Sequence, residues 1–229
     1  MAKTVNANID AVQFVEQASA PTTPASTKWR LYFKSTGLFI VDDTGAEFGP
    51  IQAGSSTGKH AVFIPAAAMT PSATGGCAAI ATIASAANQP DIQTLDFDTT
   101  TQEFAQFSIR MPKSWNEGTV TFAPVWSHAA TTTNFGVVWQ LQGVAVSDDD
   151  AIAVAYGTEQ TSTDTGGTTN DLYIGPESAA ITIAGTPAAE DVVFFRIARV
   201  PANGSDTLAI DARLHGITLY ITTDAGNDA

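Results

Sequence analysis

The chain has a single cysteine, Cys77, among 229 residues, so neither an intrachain disulfide nor a thiolate metal cluster can be built from it. Within "TGGCAAIA" it reads as a small buried apolar side chain. Positive charge is scarce as well: 10 Lys and Arg against 23 Asp and Glu give a net charge of −13 with no basic cluster. Such a surface repels phosphate backbones, and nucleic acid is not an expected partner. No stretch approaches the ~20 apolar residues of a membrane span, and the opening "MAKTVNANIDAVQFVEQ" lacks the basic start and apolar run of a signal peptide. The expectation is folding in a bacterial-type cytoplasm with no membrane partner. Charged residues make up only 14% of the chain and apolar residues 44%; with Thr, Ala, Val and Gly abundant, this composition indicates a packed all-β protein.

Three parts can be read along the chain. Residues 1–51 begin with a short apolar-periodic piece, "IDAVQFVEQ", followed by the Pro/Thr/Ser linker "ASAPTTPAST", an extended arm. "KWRLYFKSTGLFIVDDTGAEFGPI" then reads as a β-hairpin unit, with Trp29, Leu31 and Phe33 alternating against Arg30, Tyr32 and Lys34, and turns at "STG" and "DDTG". A lone hairpin is marginal in water, so this unit is expected to dock on another surface. Residues 52–90 are rich in small residues and read as an extended connector with one strand at Ala61–Ile64. Residues 91–229 alternate with period two in segments such as "EFAQFSIRM", "GTVTFAPVWS", "AIAVAY", "AAITIAG" and "EDVVFFRIARV"; about eight such strands joined by polar turns make a two-sheet antiparallel β-sandwich. In "DTLAIDARLHGITLYIT" the apolar parity changes from even (Leu208, Ile210, Ala212, Leu214) to odd (Ile217, Leu219, Ile221), and a bulge at His215–Gly216 restores one buried face. In "RMPKSWNEGTVTF", Pro112 ends a strand, Trp115 covers the sandwich end and "NEG" makes the corner.

Chemical motifs are mostly missing. "GSSTGK", Gly54 to Lys59, is one residue short of a phosphate loop and places His60 where a Ser or Thr should hold magnesium. His60, His128 and His215 have no second ligand at metal spacing, no GxSxG elbow occurs, and the acidic turns "SDDD" and "TSTDTGGTTND" miss calcium-loop spacing. No cofactor, metal or catalytic residue is therefore expected. Asp96, Asp98, Glu103 and Glu117 are the carboxylates available for a glycan-cleaving alternative, although spacing pairs no two of them. Of the four tryptophans, Trp126 and Trp139 lie in alternating strands and read as core; Trp115, at a turn, is the candidate for ligand contact.

The segment "APTTPASTKWRLYFKSTGLFIVDDTGAEFGP", through Pro21, Pro24, Leu31, Tyr32, Lys34, Gly37, Leu38, Asp42 and Gly45, resembles an N-terminal element of virion structural proteins of tailed bacteriophages, both tail fibres and head-decorating proteins. "LDFDTTTQEFAQFSIRMPKSWNEGTVTFAPVW", "GVVWQLQGVAV" and "DTLAIDARLHGITLYI" are similar to a phage β-sandwich. The resemblance implies a jelly-roll-like domain facing outward, an N-terminal anchor on the particle and assembly as a homotrimer located in the virion. The expected function is a non-enzymatic capsid decoration, or cement, protein bound to the major capsid protein by strand addition and apolar docking. Its expected anchor residues are Trp29, Leu31, Tyr32, Phe33, Phe39 and Phe48, with Arg30 and Lys34 meeting acidic capsid surface. The alternative is a tail fibre or adhesin that binds host surface glycan through loop tips such as Trp115 and "TSTDTGG".

Overall fold

The computed structural model describes residues 16–51, 58–130 and 134–225; the apolar-periodic piece before residue 16 lies outside them. The chain divides into two compact units, Met1–Ser55 and Ser56–Ala229.

The first unit is an antiparallel sheet of three strands, β1 (Arg30–Lys34), β2 (Gly37–Val41) and β3 (Glu47–Ile51), in the order β1-β2-β3. The expected hairpin thus gains a third strand. Its second turn closes on Asp42, whose carboxylate accepts the N–H groups of Thr44 and Ala46 and the Thr44 hydroxyl. Those bonds, the Thr44 hydroxyl first, hold the Asp42 carboxyl below its usual range. Gly45, at φ +89, supplies the left-handed residue of this turn.

The second unit is a two-sheet antiparallel sandwich with the jelly-roll-like architecture expected. One sheet has the order β11-β10-β13-β8-β5. It comprises β5 (Thr70–Pro71), β8 (Phe104–Arg110), β10 (Phe135–Val146), β11 (Gln160–Gly166) and β13 (Val192–Arg199). The other has the order β12-β9-β14-β7-β6, from β6 (Ala81–Ile83), β7 (Ile92–Phe97), β9 (Trp115–Ser127), β12 (Tyr173–Ile174) and β14 (Ala212–Thr223). Strand β4 (Gly58–Pro65) also belongs to this sheet through its pairing with β14. β14 is its axis: β9 lines one flank, while the other is shared by β7, opposite Ala212–Leu214, and β4, opposite Gly216–Thr223.

Alternation decides which side chains enter the core. Phe107, Val193, Phe195 and Ile197 point inward, as expected, and meet Leu95, Phe97, Phe122 and Trp126 from the facing sheet. The Phe97 and Trp139 rings meet edge-on at 5.2 Å across the sandwich, and Phe107 stacks on Phe195 at 5.1 Å; such pairs add to the burial of their apolar area. The register of β14 against β9 shifts between Leu214 and Gly216, which is the bulge that the parity change requires. Ala212, Leu214, Ile217, Leu219 and Ile221 are all buried on its two sides.

One charged pair lies in this apolar interior. Arg199, at the end of β13, is fully buried and meets Asp206 through two bonds, at 3.0 and 2.8 Å. Its remaining donors reach the carbonyls of Ile210 at 2.7 Å and Leu208 at 2.5 Å. A buried guanidinium is tolerated only with this degree of satisfaction. The pair fixes the loop that leads from β13 into β14.

Several expectations are corrected. The presumed connector, 52–90, carries the expected strand at Ala61–Ile64 within β4, but it also supplies β5 and β6 and from Gly58 onward is part of the sandwich unit. "AIAVAY" forms no strand, and Ile152 is 84% exposed. "AAITIAG" makes only isolated bridges, Ile181 to Val120 and Ala184 to Val144, yet Ile181 and Ile183 still enter the core. Leu208 and Ile210 precede β14 in a loop. Among the described residues no helix is long and apolar enough to cross a membrane.

Candidate functional site

The three-stranded sheet has two chemically opposite faces, because directly paired residues share a face and successive residues alternate. On one face Tyr32 lies opposite Phe39 and Arg30 opposite Val41, with Glu47 beside Val41 on β3. Tyr32, Phe39 and Val41 form a small buried cluster, the two rings 5.8 Å apart. Glu47 closes this face: its carboxylate accepts the Tyr32 hydroxyl and the Lys34 ammonium, each at 2.5 Å. The Lys34 contact, followed by Tyr32, lowers the Glu47 carboxyl, and the same contact raises Lys34. Burial, then Glu47, pushes the Tyr32 hydroxyl up. Gly49 lets β3 approach this closely, since a Cβ there would sit 2.7 Å from the Phe39 ring.

On the other face, Leu31 pairs with Ile40, Ile40 with Phe48, and Leu38 with Ile51. Trp29, just before β1, brings its ring within 5.7 Å of Phe48. Here the large apolar side chains are uncovered: Trp29 is 61% exposed, Leu31 50%, Phe48 49% and Ile51 44%. Isolated exposed apolar residues need no explanation, but four on one face of a small sheet make this face the candidate surface for an interaction.

This geometry divides the expected anchor set. Trp29, Leu31 and Phe48 lie on the exposed face, and Phe33 is half-buried on the same side. Tyr32 and Phe39 do not: they are the unit's own core, which explains why β1 and β2 hold together. Lys34 is spent on Glu47, and Arg30 donates from Nη1 to the Thr22 carbonyl and hydroxyl, both at 2.7 Å. The two cations expected at a partner surface therefore organise the unit itself. Strand addition is also restricted: Pro50 removes a donor from β3, and Gln17 N–H already donates to the Phe33 carbonyl of β1 at 2.7 Å. The face, rather than an edge, is the surface on offer.

Trp115, the expected ligand contact, is corrected by its burial. It is the first residue of β9, 2% exposed, within the main core, so its ring presents no surface to a ligand. The turn it closes, Trp115 N–H to the Pro112 carbonyl at 3.0 Å, is the corner expected. "TSTDTGG" is not a loop tip but most of strand β11, where Asp164 accepts the Trp126 indole N–H at 2.9 Å. Trp126 and Trp139 are buried, as expected of core residues. Cys77 is buried too, which pushes its thiol up to about 12 and leaves it unreactive.

Of the histidines, His60 is exposed on β4. His128 is buried among aromatic rings, edge-on to Phe135 at 4.7 Å and stacked with Tyr173 at 5.8 Å. His215 sits on the β14 bulge, with Nε2 2.7 Å from the Ser127 hydroxyl. Burial, with Arg213 next, lowers its affinity for protons. Among the described residues no carboxylate is hydrogen-bonded to its other ring nitrogen, so this pair lacks the third member that orients a catalytic triad. Among the described residues, no group of three His, Cys, Asp or Glu side chains is placed to hold a metal ion.

No family model and no curated protein matches the chain. Among solved structures it is similar to the xylan-binding module CBM15, at 14% identity and a TM-score of 0.38 over 73% of this chain and 100% of that one. It is also similar to the C-terminal family 22 carbohydrate binding module of Clostridium thermocellum Xyn10B, at 17% identity and a TM-score of 0.36 over 70% and 88%. A third likeness is to a chain from the structure of infectious bursal disease virus Gx strain, at 12% identity and a TM-score of 0.35 over 83% of this chain but 39% of that one. At these values the likenesses say nothing about function, which rests on the geometry of the chain itself.

Proposed function

We propose that the chain is a non-enzymatic structural component of a tailed-bacteriophage virion, a decoration or cement protein that binds the head shell as a homotrimer. The observation that carries this reading is the uncovered apolar face of the N-terminal sheet. Burying apolar area contributes about 25 cal/mol per Å², and Trp29, Leu31, Phe48 and Ile51 together offer an aromatic and aliphatic anchor of the kind that dominates protein interfaces. The major capsid protein is the partner that the phage-like Pro-rich linker and hairpin imply. Docking on a face leaves the edges free, so the partner needs an apolar depression rather than an unpaired strand.

The test uses particles grown with wild-type chain or with a Trp29→Ala, Leu31→Ser, Phe48→Ser triple variant. Quantitative mass spectrometry against the major capsid protein should give a simple fraction of the shell copy number for wild type and near-total loss for the variant. Chemical cross-linking of released protein should yield a trimer. Full occupancy by the variant overturns the anchor; a few copies per particle moves the chain to the tail.

A second reading, an adhesin that binds host glycan, draws support from a groove elsewhere in the molecule.

A further inference from the structure

That groove arises from the way β14 changes neighbours. β7 leaves β14 after Leu214 and β4 joins it at Gly216, so two strands on one flank diverge around the extra residue, His215. The outer face of the sheet opens there into two adjoining concavities of about 630 Å³ and 430 Å³ that share Ile92 and His215. Both lie within the range of small-molecule sites.

Their linings differ. In the larger, Phe63, Pro65, Ile92, Val125 and Leu172 dominate, with Phe63 and Leu172 more than half exposed along its rims. In the smaller, polar groups prevail: Ser85, Gln89, Asn170, Ser127 and His215. Gln93, Thr82 and Asp91 complete the larger wall.

The lining narrows the ligand class. Among the described residues no Lys or Arg lines either concavity, so an anion would enter a strongly acidic protein without a counter-charge. Asp91, the sole carboxylate in the two linings, already accepts the Ser85 N–H at 2.9 Å, which gives a cation little to replace its water. A purely apolar ligand would strand the amide and hydroxyl groups of the smaller concavity. A peptide gains most from an unpaired edge, whereas this groove crosses a sheet face. An uncharged chain with hydroxyls on its rim and C–H groups on its ring faces satisfies both halves.

We infer that the groove between β4, β7 and β9 binds a neutral oligosaccharide, with Phe63 and Leu172 against the sugar faces and Gln93, Asn170 and the His215–Ser127 pair on its hydroxyls. The site lies wholly in the sandwich unit and does not depend on the N-terminal anchor. It goes beyond the structural role proposed above.

The test is solution NMR of the full chain with defined hexasaccharides as probes: β-1,4-linked glucose, mannose, xylose and N-acetylglucosamine, α-1,4-linked glucose, and oligogalacturonate as the acidic comparison. At least one neutral probe at about 5 mM should shift the resonances of Phe63, Gln93 and His215, at the weak end of the affinity scale. Phe63→Ala and Gln93→Ala should each weaken binding about fivefold or more, the loss of one apolar contact or one hydrogen bond, with unchanged melting temperature. The inference is overturned if no neutral probe binds, if the acidic probe binds better, or if both variants bind as wild type.

Discussion

The N-terminal sheet and the sandwich are built from the same alternating strands, yet they end in opposite states. In the sandwich each sheet covers the inner face of the other, and side chains as large as Phe97, Trp139 and Phe195 lose all contact with water. The N-terminal sheet is a single layer; it closes one face over Tyr32, Phe39 and Val41 and leaves Trp29, Leu31, Phe48 and Ile51 in solvent. The difference teaches that apolar alternation on both faces of one layer is a demand for a second layer. Where the chain leaves that layer out, the apolar side chains stay in water, and it is on this that the proposed docking rests.

The sharpest way to probe the sandwich side of this comparison is its buried charge. Asp206→Ala leaves the fully buried Arg199 guanidinium without its carboxylate, and stability should fall by about 3–5 kcal/mol, measured by denaturant unfolding. The Arg199→Met, Asp206→Leu double variant should recover only part of that loss, because the Ile210 and Leu208 carbonyls and the Val138 N–H lose their partners. A single variant as stable as wild type would mean that water reaches the pair. Gly216→Ala is expected to cost about 1–3 kcal/mol, the range for overpacking, because a Cβ there would lie 2.4 Å from the Ile64 carbonyl oxygen where β4 joins β14.

Acid separates the two units next. His128 and His215, both in the sandwich, are held below the ordinary histidine value of 6.5 chiefly by burial. The unfolded chain therefore takes up these protons first, and the sandwich loses stability progressively as pH falls below about 6.5. In the N-terminal sheet the groups shifted downward are the carboxyls of Asp42 and Glu47, whose contribution is present above the ordinary carboxylate values of about 4 and is lost as pH falls from there into the depressed range. Hydrogen exchange at pH 7 and pH 5, corrected for intrinsic rates, should show protection falling in the sandwich but not in β1–β3. His128→Phe should reduce the fall; equal loss in both units would contradict this assignment. The smallest effect is expected of the anchor variant itself: exposed substitutions at Trp29, Leu31 and Phe48 should leave sandwich unfolding within about 0.5 kcal/mol of wild type.

Much of this was legible from residue order. Parity along β8, β13 and β14 placed Phe107, Phe195 and Ile217 correctly, and its reversal located the bulge at His215–Gly216. It also grouped Trp29 with Leu31, two of the side chains that the structure leaves exposed. Parity assigns a side chain to a face but does not say which face is covered, so Tyr32 and Phe39 were grouped with the anchor rather than with the core. Nor does it say whether a strand edge is free to pair: "AIAVAY" alternates but finds no ladder, while the strand expected at Ala61–Ile64 lengthens to Gly58–Pro65 because β14 leaves half a flank open to it. Trp115 looked available because it follows a turn, yet a turn at a sandwich end can fold its aromatic residue inward. The groove was invisible for a related reason, since its walls come from segments brought together only by the exchange of β7 for β4 beside β14.

That exchange also sets an order on assembly during synthesis. Gly58 of β4 and Thr223 of β14 are 165 residues apart, so at about 5–20 residues per second β4 waits roughly 10–30 s for its partner. The N-terminal sheet, whose pairings are local, forms well inside that interval, on the microsecond scale of hairpins. A nascent chain thus completes its N-terminal sheet, with Trp29, Leu31 and Phe48 uncovered, while the sandwich is still missing its last strand.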